Sequence, residues 1–145
     1  MGIEIFRRLP GHDPSSVAEA RVALSPLERA VDPNTFETLR LLVSEVVTSS
    51  VRGGPEARGD EIELSVRASR ELIRVEVSGA GPGLEEPHGE DGGEGPARLG
   101  LRIVETLSDR WGSEGDGGRR VWFELLDSGA FSSRPFAGTA LGGRR

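Results

Sequence analysis

The sequence contains no cysteine, which removes disulfide frameworks, thiolate nucleophiles and cysteine zinc sites together. Histidine is scarce: His12 and His88 are the only two, and both sit in polar, Gly/Pro-flanked stretches. They read as solvated loop residues rather than metal ligands. An excess of positive charge is also missing, since the formal net charge is −6 and the pI about 5.0. Neutralising phosphates takes Lys and Arg, so this balance argues against nucleic-acid binding. No apolar run approaches the ~18 residues of a membrane span. Met1 to Pro10 alternates apolar and polar residues where a signal peptide would carry an apolar core. The expected location is therefore the cytoplasm. What is present, 145 residues with 35% apolar and 29% charged side chains, suits one domain with one hydrophobic core.

Periodicity divides the chain into elements. Ile3 and Ile5, with Arg7 next in the alternation, predict a first strand ending at Leu9-Pro10. A helix follows to about Leu24, opened either by a Ser16-Val-Ala-Glu19 capping box or by Asp13 with Pro14 in the first turn. Pro26 breaks or restarts it. The strongest helical signal comes next, capped by Asp32 or Asn34. Phe36, Leu39, Val43, Val46, Val47 and Ser50 form one face, and Gly53-Gly54-Pro55 stops the helix after Arg52. Its length is about 30 Å. Ile62, Leu64 and Val66, then Ile73, Val75 and Val77, alternate with polar residues and predict a hairpin turning through Ala68 to Glu71.

Residues 79–96 are Gly, Pro and acidic, with Leu84 the only large apolar side chain, a composition that cannot pack a core. A helical pattern resumes from Leu99 to Ser108. Trp111 and Val121 to Leu125 then read as a closing hairpin, and the two tryptophans as core or sheet-face aromatics. The expected fold is α/β: a two-layer sandwich with helices on one face of a mostly antiparallel, mixed sheet. The domain should span residues 1–127, with a lid at about 84–98 and a disordered tail over 128–145.

Three blocks in this order resemble the GHKL ATPase superfamily, in particular its bacterial anti-sigma-factor and serine-kinase branch. They are Ser44-Glu-Val-Val-Thr-Ser-Ser-Val51, Gly79-Ala-Gly-Pro-Gly83 after Val75-Glu-Val-Ser78, and Arg98-Leu-Gly-Leu-Arg-Ile-Val-Glu105. The resemblance covers residues 15–126 and implies a Bergerat-type ATP-binding fold. It implies Glu45 as the general base, position 49 as the magnesium ligand, position 79 as the acceptor of the adenine amino group, and ATP with magnesium as cofactors. The physical pattern agrees. Glu45, Ser49 and Arg52 fall at i, i+4 and i+7 on one helix stripe. Gly81 and Gly83 allow close backbone approach, and Gly100 beside Leu101 at a helix start would offer free N–H groups to a phosphate. Taken singly, each feature has a plainer reading: Glu45 as a half-exposed helix carboxylate, Gly81-Pro82-Gly83 as an ordinary turn, Arg98 as a solvated lid residue.

The chain departs from the family pattern at three positions. Ser49 replaces asparagine, Gly79 replaces aspartate, and Arg98 replaces glycine. A lost hydrogen bond to a charged group costs about 1.5–3 kcal/mol, roughly 10- to 150-fold in affinity. Losses at the metal, base and phosphate subsites together imply a degenerate pocket with weak or absent ATP binding. The expected role is protein–protein binding, with a sigma factor or a STAS-domain antagonist as partner. The alternative is an active serine/threonine kinase and anti-sigma factor. A homodimer through the first strand and helix is a further expectation of the resemblance.

Overall fold

The computed structural model describes residues 2–51, 60–79, 96–114 and 120–126, with the backbone alone over 96–101. Strand β1 (Ile3–Pro10) leads into helix α1 (Ser15–Ala23), a 3-10 turn (Ser25–Leu27) and the long helix α2 (Pro33–Ser50). Strands β2 (Glu61–Ala68) and β3 (Leu72–Ser78), helix α3 (Pro96–Leu107) and strands β4 (Arg110–Glu114) and β5 (Arg120–Leu126) complete the described elements. The sheet order is β1-β2-β3-β5-β4. Every pairing in it is antiparallel, so the mixed sheet expected from sequence is corrected to an antiparallel one.

Alternation decides which face is covered. Ile62, Leu64 and Val66 on β2, Ile73, Val75 and Val77 on β3, and Val121, Phe123 and Leu125 on β5 are buried. They share one cluster with Leu24, Leu27 and the α2 face from Phe36 to Val47. Strands half-buried in this way have helices on one side only, which makes the α/β sandwich two layers deep. Leu42 joins the α2 face at 0% exposure although it was absent from the predicted stripe. α2 packs against both α1 and α3 as well as the sheet, so its buried arc is wider than a single stripe.

Three local expectations change. Neither Ser16 nor Asp13 caps the helix, which starts at Ser15 with Pro14 at its N-cap position. The Ser16 hydroxyl donates to the Pro10 carbonyl at 2.6 Å, and Asp13 Oδ1, one residue before the cap, accepts from the Ser15 N–H at 2.9 Å. Ser16 is fully buried, and its bond ties the start of α1 to the end of β1. α2 stops at Ser50, because Val51 is already extended at ψ 137°. α3 begins at Pro96 rather than Leu99, since proline suits a first helical position. Among the described residues, no helix is long and apolar enough to cross a membrane.

On the other face of the sheet, charged side chains form ladders. Arg74 Nη1 donates to Glu124 Oε2 at 2.7 Å, and its guanidinium lies 4.4 Å from the centre of the Trp122 ring. Arg110 Nη2 stands 2.7 Å from Glu124 Oε1 as an ion pair without hydrogen-bond geometry. Trp111 packs against the core on the opposite face, so the two tryptophans divide between the readings open for them.

Candidate functional site

The site begins with α2. Asp32 opens the helix: its Oδ2 accepts from the N–H groups of Asn34 at 2.9 Å and Thr35 at 3.2 Å, and Pro33 occupies the first turn. The Asn34 alternative for the cap is thereby settled in favour of Asp32. The apolar face then anchors the helix against the sheet, and Glu45 and Ser49 fall on its flank, both half-buried. The predicted stripe therefore holds for Glu45 and Ser49. It does not continue along the helix, because Val51 has left it. Arg52 lies outside the described residues.

The C-terminal half of α2 is unusually rich in hydroxyls, and each one bonds back to its own helix. Ser44 donates to Arg40 O at 2.8 Å, Thr48 to Ser44 O at 2.7 Å, and Ser49 and Ser50 both to Val46 O at 3.0 Å. Such back-bonding satisfies a hydroxyl that would otherwise compete with the backbone. At Ser49 it commits the proton and leaves only oxygen lone pairs for any cation. Among the described residues, no group of three or more His, Asp or Glu side chains could hold a metal ion.

Gly79 follows the last residue of β3 and meets the end of α2. A Cβ built there would lie 3.5 Å from Ser50 Cβ and 3.2 Å from Ile62 Cγ1. The fold thus brings the first two sequence blocks together at one end of the sheet. α3, carrying the third block, packs beside α2. Because α3 starts at Pro96, Gly100 is its fifth residue. The N–H groups left free by a helix start are the first four, so Gly100 does not stand at the helix start where the sequence pattern puts it. Arg98 and Leu101 also lie in α3, so residues 96–98 of the stretch expected as a lid are helical. Gly81, Gly83, the rest of the lid and the tail over 128–145 lie outside the described residues.

The structure thus is an α/β sandwich whose long helix bears a half-buried glutamate on its flank, beside a strand end and a third helix. The chain matches the family model of the histidine kinase-like ATPase domain over residues 12–125, and it belongs to that family. A comparison with curated proteins found no match.

Proposed function

We propose that this chain is a regulatory binding protein of the anti-sigma-factor type, acting by protein–protein contact in bacterial partner-switching signalling, with weak or no ATP binding. The observation that carries this reading is Gly79. The family to which the chain belongs binds ATP with magnesium, and the position assigned to adenine recognition has no side chain here, with buried Ile62 packed against it. The residues present do not fit that group at the base subsite. Ser49, whose proton is held by Val46 O, offers a shorter-reaching ligand than an amide at the metal position. A sigma factor or a STAS-domain antagonist is the class of partner this reading assigns, in a cytoplasmic setting.

Calorimetric titration of the full chain with magnesium and ATP tests the reading. No saturable heat in the micromolar range is expected, and micromolar or tighter binding would sink it. The second reading, an active serine/threonine kinase that phosphorylates a STAS-domain protein, is favoured by Glu45, which keeps its place on the flank of α2. Phosphate transfer from ATP to such a protein, lost in Glu45→Gln, would establish that reading instead.

A further inference from the structure

Glycine at position 79 has two possible physical reasons, conformation and space. Conformation is not the reason, because the φ of Gly79 lies outside the left-handed region that favours glycine. Space is. The first atom of any side chain there would stand 3.2 Å from Ile62 Cγ1, 3.5 Å from Ser50 Cβ and 3.7 Å from the Glu61 carbonyl oxygen. The closest of these is tighter than ordinary van der Waals contact, so Ile62 would have to yield by a few tenths of an ångström. Ile62 is 0% exposed and Ser50 3%, and the Ser50 hydroxyl is tied to Val46 O. β2 is hydrogen-bonded to β1 on one side, where Ile62 pairs with Leu9, and to β3 on the other. Close-packed interiors give little room for such a shift.

We infer that Ile62 is a steric plug for position 79. The two residues form a unit in which glycine is required by the isoleucine, so a base-reading carboxylate cannot be restored by changing position 79 alone. The steric half of this inference stands on packing. Only its ligand half rests on the reading of residue 79 as the base subsite.

A double-mutant cycle on the full chain, read by urea unfolding, separates the two halves. Where φ is permitted and space is open, Gly→Ala stabilises by restricting the unfolded chain. With a plug in place, Gly79→Ala should instead lower the urea midpoint. Combined with Ile62→Ala, its cost should shrink or reverse. A raised midpoint for Gly79→Ala alone, or strictly additive costs, overturns the plug. Should Ile62→Ala not fold, the sign of the Gly79→Ala shift decides the matter by itself. For the ligand half, Gly79→Asp alone should leave magnesium–ATP affinity unchanged, whereas Ile62→Ala/Gly79→Asp should gain at least about tenfold. Restored binding in the single Gly79→Asp variant overturns the plug. Coupling in unfolding without any gain in the double variant upholds the plug and overturns the assignment of residue 79 to the base.

Discussion

Glu124 is the residue whose surroundings differ most from its neighbours' on the exposed sheet face. Its side chain is 9% exposed and is approached by two arginines, Arg74 at 29% and Arg110 at 61%. The Arg74 guanidinium is partly desolvated, which opposes its charge, but hydrogen bonds to Glu124 and Glu76 outweigh this and hold its pKa above the ordinary value. Neutralising the shared carboxylate should therefore be felt. Glu124→Gln is expected to cost about 1.5–3 kcal/mol, the value of a hydrogen bond to a charged group. Arg110→Ala, which removes a solvent-screened ion pair, should cost less than about 1 kcal/mol. Urea unfolding of the two variants checks the contrast. Asp13 supplies a pH dependence. Hydrogen bonds from Ser15 lower its pKa, with His12 a lesser contributor and burial a slight opposition. A carboxyl depressed in the folded state contributes stability above its unfolded pKa and loses it as pH falls through the folded value. Asp13→Asn should therefore lower stability at neutral pH and flatten the acid limb, its cost relative to the wild type fading as pH falls below about 4. Thermal unfolding across pH 2–5 measures it.

At the scale of elements, the β4–β5 hairpin is held by a glycine opposite a tryptophan. Gly112 pairs with Trp122, and a Cβ at Gly112 would lie 2.8 Å from both Cζ2 and Nε1 of the indole. The ring therefore lies over the bare backbone, where it also meets the Arg74 guanidinium. Gly112→Ala should expel the indole, cost about 1–3 kcal/mol as overpacking does, and change Trp122 fluorescence in a Trp111→Phe background. α2 offers a second contrast. Leu41 is 41% exposed and Leu42 fully buried, so Leu42→Ala should cost about 2–5 kcal/mol and Leu41→Ala within about 0.5 kcal/mol. Denaturant midpoints of the pair test the buried arc directly. The sequence missed Leu42 because a single stripe was assumed. The arc widens only when a helix is flanked by two others as well as a sheet.

For the whole molecule, one cluster of buried side chains joins β1, α1, the 3-10 turn, α2, β2, β3, α3 and β5. A single shared core of this kind unfolds as one unit in small domains. Far-ultraviolet circular dichroism and tryptophan fluorescence should therefore give coincident urea transitions. An early fluorescence transition would mean that the β4–β5 hairpin opens separately.

The sequence by itself determined the elements and their faces. The 3.6 and 2.0 periodicities that marked α2, β2, β3 and β5 are consequences of backbone geometry, and burial follows them at Ile62, Val75 and Phe123. Local chemistry also marked the break at Pro26 and narrowed the cap to Asp32 or Asn34, of which the structure uses Asp32. It misplaced the start of α1, where neither Ser16 nor Asp13 is the cap, because the Ser16 hydroxyl is claimed by a carbonyl six residues away on β1 and Pro14 takes the cap position. The same limit applied at the candidate site. Glu45 and the substitution at Gly79 were readable from the motif. That Ile62 fills the space beside Gly79 was decided only when β2, β3 and the end of α2 were brought together. Spacing along the chain carries the type and face of an element, whereas the room left for a side chain depends on atoms distant in sequence.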